Sequence, residues 1–324
     1  MLYLIYRSIL LTLMKSTILV GGQAVIEGVM MRVPGAYATA VRKADGTIAL
    51  DYNQFISKVT NNSFYGLPII RGMIHLFESM SIGYKTLEWS AKIAEPDQKT
   101  NKFIDAILTI ISLIFSLSLF VGLPLLAADL LQHYYLSENT FVFNIISGLV
   151  RICLFLTYLI LISYMSDIKR LFQFHGAEHK TVYNFESGNK LNIENASAFP
   201  KEHPRCGTSF IFIVMLVSII SYSLIDTIAV QIGIDLTIIN RLLIHIPCLP
   251  LVAGFSYEVL KITAKYQNYT FFKILGFPGL ALQKITTQIP DEAQLEVAII
   301  ALTHAFGEDI QKYEGKQFSA EAVG

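Results

Sequence analysis

The stretch FIDAILTIISLIFSLSLFVGLPLLAA, residues 103–128, decides the fold class. Beyond Asp105 it holds no charged side chain, and it exceeds the roughly 20 residues a helix needs to cross a bilayer. Three further stretches share that character. Residues 141–165 are apolar except for Arg151, and residues 208–232 hold a single charge, Asp226. Residues 238–260 carry His245 and are interrupted by Pro247 and Pro250. The whole chain agrees, with 53% hydrophobic and 15% charged residues and a mean hydropathy of +0.51. Soluble domains carry about 25% charge. The expected architecture is therefore mainly α, a polytopic membrane protein with about four transmembrane helices and a small cytoplasmic β-containing N-terminal region.

Lys and Arg alternate along the loops and orient the spans. Lys85, Lys92, Lys99 and Lys102 precede the first span, whereas residues 129–140 hold neither Lys nor Arg. The loop 166–207 is basic again, residues 233–240 have no basic residue, and Lys261, Lys265 and Lys273 follow the last span. Both termini and the middle loop are thus expected in the cytoplasm of a multi-pass protein of the cytoplasmic membrane. The net charge of zero gives no electrostatic footprint for nucleic acid. Cys153, Cys206 and Cys248 form no C-x-x-C pair and read as reduced thiols.

The expected divisions are an extension at 1–20, a β-hairpin region with an interfacial helix at 21–102, spans at 103–165, a loop at 166–207, spans at 208–260 and a C-terminal region at 261–324. The extension is apolar but carries Arg7 and Lys15 and lacks a cleavage site, so a cleaved signal peptide is not expected. Met14 offers an alternative start. Asp45-Gly46, between residues 39–43 and 47–50, predicts a hairpin with a type I′ turn. Residues 65–88 have helical period, with Tyr84, Lys85 and Trp89 suited to a membrane surface. A helix is expected across 166–185, ended by Gly188-Asn189, and another after Pro290 with an apolar face from Leu295 to Phe306. Gly276-Phe277-Pro278-Gly279 reads as a loop.

Chemistry concentrates in His175-Gly176-Ala177-Glu178-His179, an H-x-x-E-H string. Histidines four apart share one helix face and can reach one metal ion, while Glu178 between them can take the proton of an attacking water. The topology brings other ligands to the same bilayer face: Glu258 first, then Cys206, with His203 close behind. Glu258 follows His179 at a distance resembling the later glutamate ligand of inverted-motif zinc peptidases; that likeness stops at the motif. The cofactor expected is a divalent metal, zinc above others. Gly176 costs a helix about 1 kcal/mol relative to alanine, unless it permits a close backbone approach. The run Gly21-Gly22-Gln23-Ala24-Val25-Ile26-Glu27-Gly28 lacks phosphate-loop spacing and reads as a turn entering a strand, with Glu27 able to join the site. Within the spans, Arg151 and Asp226 are expected to pair, with Arg241 as competitor, because charge in lipid is costly.

Residues 21–32, Phe174-His175-Gly176-Ala177-Glu178-His179-Lys180 and the string 203–210 beginning His203-Pro204-Arg205-Cys206 resemble the YqhQ-like family of bacterial membrane proteins. That resemblance extends from about Val20 to Phe306 and implies a metal-dependent enzyme without naming a substrate. The leading expectation is a metal-dependent hydrolase at the cytoplasmic face, with His175 and His179 as ligands and Glu178 as general base. Its partners are the lipid bilayer and a peptide or lipid-linked substrate. A non-catalytic scaffold with a structural metal is the alternative, and a transporter comes third.

Overall fold

A computed structural model describes residues 20–60, 62–96, 102–135, 139–204, 206–266, 269–313 and 315–318. The expectations for the N-terminal extension fall outside these residues. The chain is mainly helical, with one small antiparallel sheet near its start. Strands β1 (Gly21–Val25), β2 (Gly28–Val33), β3 (Ala36–Arg42) and β4 (Ile48–Gln54) lie side by side in sequence order. The glycine run is thus an edge strand rather than a turn before one.

The hairpin between β3 and β4 departs from the two-residue turn. Lys43 N–H donates to Thr47 O across a loop of Ala44, Asp45 and Gly46, and Gly46 has φ +86. This is the three-residue connection that places glycine in the left-handed region. Asp45 closes it by accepting from the backbone N–H and hydroxyl of Thr47.

Helices cover both faces of the sheet. Helix α1 (Ile70–Ala94) lies on one face, where Ile82 packs with Val25, Met30, Tyr37 and Val41. It begins five residues later than its apolar period, because residues 63–69 form turns around Pro68. On the other face, Val29, Met31 and Ala38 meet α5 (Ser166–Ser187) and α10 (Glu292–Phe306). Asp291 and Gln294 cap α10 reciprocally, and Leu295, Ala298 and Leu302 are its buried face.

Among the described residues, four helices or helical runs are long and apolar enough to cross a membrane. The first joins α2 (Lys102–Leu117) to α3 (Leu123–Tyr135) through a π-turn at Ser118–Gly122. The others are α4 (Thr140–Ser163), α7 (Gly207–Gln231) and α8 (Ile238–Lys265). Phe103, Ile110 and Leu113 stand more than half exposed, surface of the kind that lipid covers.

Arg151 and Asp226 do not pair. Fully buried Asp226 takes Arg241 together with His245 Nε2 at 2.8 Å and Asn144 Nδ2 at 2.7 Å. Arg151 turns the other way, to Phe120 O at 2.9 Å and Ser218 Oγ at 3.3 Å. Phe120 lies in the π-turn, where the regular helical hydrogen-bond ladder is interrupted and a carbonyl can accept from a side chain.

Short α6 (Ile193–Ser197) follows α5, and α9 (Thr270–Thr286) packs along α7. The expected loop at Gly276–Gly279 lies inside α9. Gly279 explains the helix, since a Cβ there would sit 2.5 Å from Ser209 Oγ, so the glycine serves close packing instead of a turn.

Candidate metal centre

Helix α5 is separated from the span α4 by Tyr164 and extended Met165, so it starts afresh instead of continuing the span. His175, Glu178 and His179 fall at i, i+3 and i+4 and share one face. Gly188, at φ +74, ends the helix. Each imidazole is oriented by a backbone carbonyl. His175 Nδ1 donates to Thr286 O at 2.8 Å, and His179 Nδ1 donates to Lys201 O at 2.5 Å. A carbonyl only accepts, so both Nδ1 atoms carry a hydrogen, and in a neutral ring so held the lone pair sits on Nε2.

Those Nε2 atoms converge with Cys206 Sγ, all three lying within 4.8 Å of one another. His175 Nε2 is 3.2 Å from the sulfur. In a tetrahedral zinc site the N···S and N···N edges are about 3.3–3.6 Å, from bond lengths of about 2.0–2.3 Å. Cys206 N-caps α7 and accepts from Thr208 N–H. His179 Nε2 is buried without a hydrogen-bonding partner, an arrangement that costs free energy unless something occupies it. Burial also pushes the His179 pKa down, holding the ring in the neutral form that ligates metals. The donor set, its fixed tautomers and the orphaned nitrogen fit a divalent metal.

Glu178 stands beside the cluster, its Oε2 3.6 Å from His179 Nε2 and 4.0 Å from His175 Nε2. Gly22 of β1 makes room for it, because a Cβ there would approach Glu178 Cγ to 2.8 Å. Gly176 allows another close approach. A Cβ at that position would lie 2.1 Å from Gln288 O, in the segment whose Gln288 N–H pairs with Phe172 O at 2.8 Å.

Two expected ligands stand apart from this group. Glu258 gives both carboxylate oxygens to the Arg71 guanidinium, Arg71 Nε lying 2.7 Å from Oε1, so this carboxylate ties α1 to α8. His203 lies beside the cluster, its ring 5.7 Å from that of His179, but it is not one of the converging donors. Its Nε2 faces Glu186 Oε2 at 3.3 Å, and Gln283 grips its backbone N–H and carbonyl at 2.7 and 2.8 Å. Desolvation lowers its pKa to about 4. Glu27, another candidate, pairs with Arg170 and fastens the β1–β2 turn to α5. The orienting carbonyls of Thr286 and Lys201 had no sequence signal, because any residue type supplies a carbonyl.

The cluster opens on a cleft of about 720 Å³. Its floor is β1, one wall is α1 through Met80, Gly83, Tyr84 and Leu87, and the other is α5. The first turns of α7, at Thr208 and Ile211, close one end.

Residues 67–308 match a family described as protein of unknown function (DUF1385). The chain belongs to this family. It is 33% identical over 296 residues to the uncharacterized protein YqhQ of Bacillus subtilis (strain 168), covering 86% of this chain and 89% of that protein. No solved structure matches the chain. The DUF1385 match spans His175, Glu178, His179 and Cys206, together with all four candidate membrane helices.

Proposed function

We propose that this protein is a metal-dependent hydrolase working at the cytoplasmic face of the cytoplasmic membrane. His175, His179 and Cys206 are its ligands for a divalent metal, and Glu178 is its general base. The observation that carries the reading is the orphaned, buried Nε2 of His179, facing Cys206 and His175 at the mouth of a cleft. Imidazole and thiolate donors select zinc over magnesium or calcium, which prefer oxygen. Three protein ligands leave one tetrahedral position for catalysis, whereas structural zinc sites use four. The positive-inside pattern of the loops supports the cytoplasmic placement.

When bound, the metal supplies Lewis acidity toward water and the substrate's carbonyl or phosphoryl oxygen. The chain's own residues do the rest. Glu178 Oε2 takes a proton from water as its oxygen forms a bond to the electrophilic centre. It then returns that proton to the leaving nitrogen or oxygen as the scissile bond breaks. Carbonyls from Thr286 and Lys201 keep the two imidazoles in register throughout.

Elemental analysis of the detergent-purified protein tests this reading, beside His179→Ala and Glu178→Gln. Near-stoichiometric metal in wild type and Glu178→Gln, lost in His179→Ala, is expected. Hydrolysis of a peptide or lipid ester should fall about 10²–10⁴-fold in Glu178→Gln. A protein that takes up no zinc, manganese or iron would overturn the metal centre. Metal retained with an indifferent Glu178→Gln would point to a structural staple between α5 and α7.

A further inference from the structure

The cleft lies along the open edge of the sheet. Strand β1 is outermost and pairs with β2 through Gly21↔Arg32, Gly22↔Met31, Gln23↔Met30, Ala24↔Val29 and Val25↔Gly28. The direction of each backbone group follows from this register. Arg42 N–H donates to Glu27 O, so Glu27 and Arg42 form a hydrogen-bonded pair and Val29 and Ala40 form the next such pair. Val29 therefore turns its backbone toward β3, and its partner Ala24 turns N–H and C=O away from β2. Gly22 does the same by the two-residue period.

These four backbone groups face the cleft that holds the metal centre, and no residue among those described forms a backbone hydrogen bond with them. One step along, the Ile26 N–H is already taken by Ser90 Oγ at 3.1 Å, which closes the edge at that end. The groove is bounded on either side by α1 and α5, which cover opposite faces of the sheet. The absence of side chains at Gly21 and Gly22 leaves the edge backbone approachable, and Gly22 is exposed.

We infer that the substrate is an extended polypeptide segment, bound as a fifth strand on the edge of β1. This rests on the hydrolase reading and names its substrate class. An added strand satisfies the N–H and C=O groups of Gly22 and Ala24 through main-chain hydrogen bonds, whatever its sequence. Alternate side chains of that strand point to opposite faces. One set meets the apolar wall of α1 at Met80, Tyr84 and Leu87, and the other meets α5 beside His175 and Glu178. A backbone amide of the strand then passes the ligand cluster, where water adds to its carbonyl carbon and the C–N bond breaks. The Glu178 carboxyl passes the proton from water to the departing nitrogen. A lipid would use the apolar wall but has no need of a row of backbone donors and acceptors.

The probe is fluorescein-labelled casein, reduced and alkylated so that it stays unfolded, added to full-length zinc-loaded Glu178→Gln protein in detergent. Amide hydrogen exchange across residues 20–25 should slow at least fivefold on adding casein. Ala24→Pro removes only an outward N–H, which edge strands tolerate, and should weaken casein binding at least tenfold with zinc content unchanged. Ala24→Ser keeps the N–H and should bind as the parent does. Unaltered exchange in a zinc-loaded protein, or equal binding by Ala24→Pro, overturns the strand-addition proposal. So does displacement of casein by phosphatidylglycerol micelles together with casein-independent exchange, the result expected of a lipid site. Failure to bind zinc at all is read separately, by elemental analysis, and counts against the hydrolase reading underneath.

Discussion

Cys206 and Glu258 show how the other partners a side chain can reach decide whether it is available to a metal. Glu258 has a bidentate guanidinium partner in Arg71, and such charge-assisted pairs are the strong ones. Removing it from that partner to ligate a metal would strand Arg71. Among the described residues, the Cys206 sulfur meets Thr208 and His175, with His179 in the same cluster. Accordingly, Cys206→Ala should reduce zinc content at least tenfold, while Glu258→Gln should keep it and lower thermal stability by about 1–3 kcal/mol. Metal content and melting in detergent, read on the same preparations, separate the two effects. Gly22 carries a second prediction at this scale. Gly22→Ala drives a methyl into Glu178 Cγ and the Met30 carbonyl, so it should cost about 1–3 kcal/mol and displace the carboxylate. Zinc should stay, and hydrolysis should fall by an order of magnitude or more.

At the scale of elements, most spans and helices were legible because hydrophobic length and capping chemistry are local properties. The start of α10 after Pro290 and the end of α5 at Gly188 follow directly from such signals. Failures came where a residue serves a distant contact. Gly279 reads as part of a loop but packs on Ser209, and the glycine run reads as a turn entering a strand but is already strand β1 from Gly21, whose pairing with β2 only appears with the hairpin formed. Likewise H-x-x-E-H offers two candidate ligands and a candidate base, yet the third candidate depends on which helix start reaches α5. Arg151 and Asp226 share the lesson, since helix rotation decides partners between spans. Asp226→Asn should therefore destabilise the protein by about 3–5 kcal/mol, leaving Arg241 buried without its counter-ion. Adding Arg241→Leu should recover part of that loss in thermal unfolding, and adding Arg151→Leu should recover none.

The whole molecule couples a sheet-and-helix body to a helical bundle, and α1 is the main bridge between them. At one end α1 covers the sheet, and at the other Gly72 meets span α8 so closely that a Cβ would lie 2.7 Å from Gly254 O. The Arg71–Glu258 pair sits beside this crossing. Gly254 is also constrained, since its own Cβ would lie 2.5 Å from Ile69 O. This contact sets how α1 stands above the cleft, while the candidate ligands come from α5 and α7. Gly72→Leu should thus push α1 away from α8 and widen the cleft without touching the metal centre. Zinc content should remain near wild type, the melting temperature should fall, and the distance between spin labels at Tyr84 and Leu171 should lengthen in pulsed dipolar spectroscopy. An unchanged distance would mean that the sheet, through Ile82 and its neighbours, holds α1 by itself. In that case the cleft belongs to the body alone, and the bundle serves only to keep it at the membrane.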